Sequence, residues 1–207
     1  MADSTQKKAI VYIDGENFLH RVEDVLKSRA LIQKKEEIIR LDITTLFQDI
    51  FPEYQLELRY YGTKIRTHDI TDPTVLDRAK VMVESQRRLK RNLENQGCAF
   101  IVSGSLRLRQ VTCSSCQKTS HVFKEKGVDV RQAVDIAEEA GEGVCQIIVS
   151  SDSDLLPALH AARAKGSHLI YVHHAEQPNF AMIKAAGETR VFTPAQIVAA
   201  YQEVENE

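Results

Sequence analysis

A chain of 207 residues is long enough for one sizeable core, so a single domain over 1–207 is expected. With 43% hydrophobic and 27% charged residues it has the balance of a soluble globular protein, not of a disordered chain. A formal net charge of −2 demands no anionic partner, yet it leaves room for a local basic patch.

The N-terminus, "MADSTQKK", lacks the apolar core of a signal peptide. "KAIVYID" then has the β-branched character of a buried strand and stops at Asp14 and Gly15. In "ENFLHRVEDVL" the spacing of Phe18, Val22, Val25 and Leu26 predicts a helix with one apolar face. A second helix is expected over 35–51, then a strand over "YQLELRYYG". Residues 72–97 read as a long amphipathic helix that Gly97 can close. "CAFIVSGSLRLRQVTC" begins as a strand and runs into a basic segment. Residues 107–126 interrupt the pattern and read as an insertion or extended loop carrying a CxxC pair. Val130, Ala133, Val134 and Ala137 share the expected inward face of the next helix. "VCQIIVSS" is a second apolar strand, followed by a helix over 155–166, a strand over 167–174 and a short helix over 178–187. "RVFT" closes as a brief strand, with a last helix opened by Pro194.

Alternating strands and helices predict an α/β fold: a three-layer αβα domain with a mostly parallel central sheet. In such sheets, sites form beyond the carboxyl ends of the strands. Asp14 ends one apolar strand, Asp152 and Asp154 end another, and Asp129 opens a helix after "EKG". If the two strands are neighbours, these carboxylates meet at one edge, where crowding is costly unless a cation neutralises them. Hard oxygen donors without accompanying His or Cys suit Mg²⁺ or Mn²⁺. The matching chemistry is metal-assisted phosphodiester hydrolysis, with Asn17 placed to bond a carboxylate or a phosphate. The competing reading is structural, because Asp and Ser are favoured helix caps and suit the helix dipole. Asp135 lies about 120° round its helix from Asp129 and reads as a solvated acid or one bonded to ligands.

"VYIDGENF", "EKGVDVRQAVDIA" and "IIVSSDSDLLPAL" resemble the three motifs of the NYN domain, a branch of the PIN-like nucleases, in order and spacing from about Lys8 to Phe192. The resemblance implies a PIN-like fold and a divalent-metal-dependent ribonuclease acting on RNA. By position it implies Asp14, Asp129, Asp152 and Asp154 as metal-binding acids, Asn17 and Lys126 as polar and basic motif residues, and Asp135 as a further acid. The family commonly has Gly before the third motif's first Asp, where this chain has Ser151.

"CSSCQKTSH" offers Cys113, Cys116 and His121 as a zinc clip, or else a flexible thiol-bearing loop. Cys98 and Cys145 fall in strands and read as buried thiols. Four cysteines without a secretory signal suggest a reducing, cytoplasmic setting. Arg107 and Arg109, with Lys118, Lys124 and Lys126, lead toward Asp129 and are candidate contacts to single-stranded RNA. "RRLKRN" reads as a solvated helix face, and His173 and His174 as ordinary loop histidines. The expected activity is ribonucleolytic, and the alternative is an RNA- or protein-binding module that cleaves nothing. A phosphatase reading is weaker because Asp14 lacks a DxD partner. No membrane span is expected, and a homodimer stays open.

Overall fold

β1 (Lys7–Asp14) lies near the middle of a seven-stranded sheet in the order β4-β3-β2-β1-β5-β6-β7. The structure is a computed structural model that describes residues 6–68, 70–176 and 178–202. On one side of β1 come β2 (Tyr54–Ile65), β3 (Ala99–Thr112) and β4 (Thr119–Lys124). On the other come β5 (Cys145–Val149), β6 (His168–His174) and β7 (Gly187–Phe192). Every pairing is parallel except β3 with β4. The architecture is the expected α/β fold with a mostly parallel sheet.

Helices cover both faces, which is why β1 is apolar from Ala9 to Ile13 and β5 from Ile147 to Val149. One core joins Val11, Ile13 and Ile147 to α1 (Gly15–Ser28), α2 (Ile43–Ile50) and α7 (Pro194–Gln202). The opposite core joins Tyr12, Ile148 and Tyr171 to α4 (Val128–Glu138), α5 (Leu156–Ala164) and α6 (Phe180–Ala186). Each fully buried Ile contributes about 1.5–3 kcal/mol relative to an exposed one. α3 (Pro73–Asn95) packs beside β3, and a third small core joins its Val75 and Ala79 to Ile70, Leu108 and Phe123.

Three expectations are corrected. The helix over 35–51 is two elements, because Asp42 caps α2 through Thr45 N at 2.9 Å and leaves a 3-10 turn over Lys35–Arg40. Residues 107–126 are not a loop: β3 continues into the basic segment and returns antiparallel as β4. Alternation decides this, with Leu106 and Leu108 on one face and Arg107 and Arg109 on the other. Finally, the inward face of α4 is not the expected one and mixes apolar with polar residues. Val128, Gln132, Asp135 and Ile136 are buried, while Val130 is 67% exposed. Gln132 donates to the Tyr12 carbonyl at 3.3 Å and Asp135 accepts from the Tyr61 hydroxyl at 2.9 Å, so polar partners on the sheet fix the rotation of the helix.

The turn from β1 into α1 requires glycine. A Cβ at Gly15 would enter the Tyr60 ring and stand 2.5 Å from the Tyr61 carbonyl oxygen. Gly15→Ala is expected to cost about 1–3 kcal/mol through overpacking, read as a lower urea midpoint with an unchanged denaturant slope.

Candidate active site

β1 and β5 are adjacent and parallel, with Ile13 opposite Val149. Their carboxyl ends therefore deliver Asp14 and the 150–154 segment to the same rim. Asp14, only 6% exposed, caps α1 by accepting from the Asn17 backbone N–H at 3.2 Å. Its other oxygen accepts from Asn17 Nδ2 at 3.1 Å and from the Ser150 hydroxyl at 2.8 Å. The same Ser150 oxygen accepts from the Asp152 backbone N–H at 3.1 Å. One hydroxyl thus bridges Asp14 to the Asp152 backbone across the sheet.

Asp152 also caps the turn that follows it, accepting from Asp154 N at 2.9 Å. The capping reading and the site reading hold together, since a capping carboxylate keeps free lone pairs. Ser151 donates to Asn17 Oδ1 at 2.5 Å, and Asn179 Nδ2 donates to the Ser151 carbonyl at 3.0 Å. The Ser151 hydroxyl thus orients Asn17.

Asp129 enters from α4, whose first turn follows Gly127 in the left-handed region at φ 96°. Gly104 of β3 sits directly behind, where a Cβ would strike the Lys126 carbonyl oxygen. Ser105 and Lys126 exchange backbone hydrogen bonds of 3.1 and 3.2 Å, tying the base of the β3–β4 hairpin to the start of α4.

The result is an open depression of about 500 Å³ lined by Asp14, Asp129 and Asp152, with Glu16, Asn17 and Glu125. Arg21 and His20 stand at its margin. Asp154 is exposed and faces the adjoining groove between α4 and α5 together with Asp129. Burial first, then the charges of Asp14, Asp152 and Asp154, hold the Asp129 carboxyl above its usual range. Burial, then Asp129, Glu16 and Asp14, push Glu125 from 4.5 up to about 7. Among the described residues no three His, Cys, Asp or Glu side chains are grouped so as to hold a metal ion.

Other expected residues fall elsewhere. Asp135 is buried instead of solvated, held by Tyr61 and by Arg131 Nε at 3.0 Å. His173 and His174 are buried at the end of β6, not on a loop, and burial lowers the pKa of His174. In "RRLKRN", Arg88 and Lys90 make exposed ion pairs with Glu84 and Glu94, as a solvated face should. Cys98 and Cys145 are buried, and Cys113 and Cys116 are exposed at the hairpin tip. The Cys113 thiol is held below its usual range by the backbone N–H groups of Cys116 and Ser115. His121 lies on β4 opposite Gln110 and joins no metal-ligating group with the two thiols. Arg107, Arg109 and Lys126 are exposed.

Sequence reading missed Glu16, Glu125, Ser150 and Asn179. Glu125 was visible in "EKG", one turn before Asp129; the others become significant only once β1, β5 and α6 are neighbours.

The NYN domain profile matches residues 8–191. The chain belongs to the NYN domain family. NYN domains are generally nucleases of the PIN-like group. No curated protein matches the chain. Among solved structures it is similar to a protein of unknown function from Vibrio parahaemolyticus, with a TM-score of 0.54 and 14% identity over 93% of this chain and 96% of that one. That likeness concerns the fold alone. No helix of the NYN chain, among the described residues, is long and apolar enough to cross a membrane.

Glu125 holds its proton more tightly in the folded chain than in the unfolded one. Metal-free stability is therefore greatest below pH 4.5 with respect to this group and falls as pH rises from 4.5 toward about 7. Glu125→Gln should flatten part of that fall in thermal melts recorded across the window; parallel curves for the two proteins would contradict the assignment.

Proposed function

We propose that this chain is a divalent-metal-dependent ribonuclease acting on single-stranded RNA, working as one domain over 1–207. The observation that supports this is the convergence of Asp14, Asp129 and Asp152, from three separate segments, on one open depression. Their donors are hard carboxylate oxygens whose repulsion is relieved by a cation. Mg²⁺ commonly takes one or two carboxylates and fills its remaining positions with water and substrate phosphate, so a preassembled group of three is not required. Asp14, Asp129 and Asp152 would hold the ion, with Asp154 at the margin. When bound, Mg²⁺ or Mn²⁺ supplies Lewis acidity and a water acidified enough to attack phosphorus.

The chain's own residues do the rest. Ser150 and Asn17 fix Asp14 through 2.8 and 3.1 Å bonds, so the carboxylate need not reorganise during the reaction. Glu125 lines the same depression, where burial and the charges of Asp129, Glu16 and Asp14 raise the pKa of its carboxyl in the metal-free chain; a bound cation would return it toward the charged form and add it to the acids facing the ion. On the hairpin, Arg107 stands directly opposite Lys124 in the β3–β4 register. Like charges facing each other across strands are destabilising unless an anion lies between them. Among the described residues neither has an ion pair. With Arg109 and Lys126 they offer an RNA backbone a path along the hairpin toward Asp129. Four free thiols fit a reducing, cytoplasmic setting.

Labelled single-stranded RNA incubated with Mn²⁺ should be cleaved by the wild type and left intact in EDTA. Asp152→Asn should lose on the order of 100-fold in rate, because several kcal/mol of charge stabilisation depend on the ligand set. Cleavage that persists in both cases would remove the metal mechanism. RNA binding without metal-dependent cleavage would make the chain a binding module instead.

A further inference from the structure

The tip of the β3–β4 hairpin carries a constellation that the acidic depression does not use. β3 ends at Thr112 and β4 begins at Thr119. Between them the chain folds tightly: Gln117 N donates to the Cys113 carbonyl at 2.9 Å and Cys113 N to the Lys118 carbonyl at 2.9 Å. Gln117 adopts φ 55°, a left-handed conformation that costs a non-glycine residue on the order of 1–3 kcal/mol. The two backbone bonds close the turn from Cys113 to Lys118, so the C-x-x-C spacing holds both thiols on one tight loop, as in a zinc knuckle.

Both thiols are exposed. Cys98 and Cys145 are buried in the sheet. His121 is opposite Gln110 in the β3–β4 ladder, outside the turn that holds Cys113 and Cys116. Among the described residues no third metal-ligating side chain joins the pair. A structural zinc takes four sulfur or nitrogen ligands, so the tip presents half a site.

We propose that Cys113 and Cys116 form half of a tetrathiolate zinc site that the same two cysteines of a second copy of this chain complete. Charge favours this occupant. From Arg109 to Lys124 the hairpin contains no Asp or Glu and carries Arg109, Lys118 and Lys124. Two such tips repel each other when bare. A zinc ion with four thiolates carries a net charge of −2, which two copies of Lys118, adjacent to the turn, offset. Two identical tips also meet naturally about a twofold axis, the commonest symmetry of oligomers. The association is therefore metal-dependent, and it stands or falls independently of ribonuclease activity.

The test uses the full chain, reduced and stripped of metal, then titrated with Zn²⁺ under a non-thiol reductant. Light scattering after gel filtration and metal analysis are read together. Saturation is expected at about half an equivalent of zinc per chain, with about a twofold rise in mass. Co²⁺ in place of Zn²⁺ should give sulfur-to-metal charge transfer and the visible bands of tetrahedral sulfur coordination. Cys113→Ser and Cys116→Ser, both at an exposed turn, should lose the mass change and the spectrum, while His121→Ala should keep them. One zinc per monomer, loss of binding in His121→Ala, a cysteine variant that behaves as wild type, or no zinc uptake by the reduced chain would each overturn the proposal.

Discussion

Mutual repulsion of carboxylates is the constraint around which this rim of the sheet is organised. Asp14, Asp129 and Asp152 line one depression with Glu16 and Glu125, where burial and then the neighbouring charges raise the pKa of the Asp129 and Glu125 carboxyls. A chain free to relax would spread them apart. Here each is tied to backbone that cannot move independently. Asp14 caps α1, Asp152 caps the turn before α5, and Ser150 bonds to both ends of the gap. Their capping bonds thus fix the acids without consuming all their oxygen lone pairs.

α4 brings the third acid, and it is secured by a polar interface that looks out of place in a core. Tyr12 donates to Glu139 at 2.6 Å, and Arg59 reaches Glu139 at 2.7 Å. Gln146 donates to the Tyr12 hydroxyl and the Ile136 carbonyl, and Gln132 to the Tyr12 carbonyl. Burial and the Glu139 bond raise the Tyr12 pKa, so the phenol stays protonated as a donor. Burying these groups unpaired would be costly, so the helix has one satisfactory rotation. That rotation leaves Val130 and Val134 facing an open groove and sets Asp129 at the acidic rim.

The hairpin shows how a local pattern can be misjudged when its partner is distant. Residues 107–126 looked like an interruption because Arg, Lys and Cys dilute the apolar signal. Yet Leu108 and Phe123 supply an inner face once Ile70, Val75 and Ala79 lie beneath them. Similarly, Val130, Ala133, Val134 and Ala137 have the spacing of a buried face, and spacing alone cannot reveal that Gln132 and Asp135 have partners on β1 and β2. His173 and His174 end the strand expected over 167–174, but the pattern could not show that both are buried there.

What the sequence determined by itself was the alternation of strands and helices, the α/β class, the position of Asp14, Asp152 and Asp154 at the ends of apolar runs and that of Asp129 at the start of a helix. Those features rest on periodicity and capping, which act over a few residues. Only the tertiary structure decided that β1 and β5 are neighbours, that Ser150 bridges their ends, that Glu125 joins the acids and that α4 buries Gln132 and Asp135. Each of these depends on contacts between segments more than a hundred residues apart, or on the balance between burying a methyl group and satisfying a hydrogen bond, and a one-dimensional pattern carries neither.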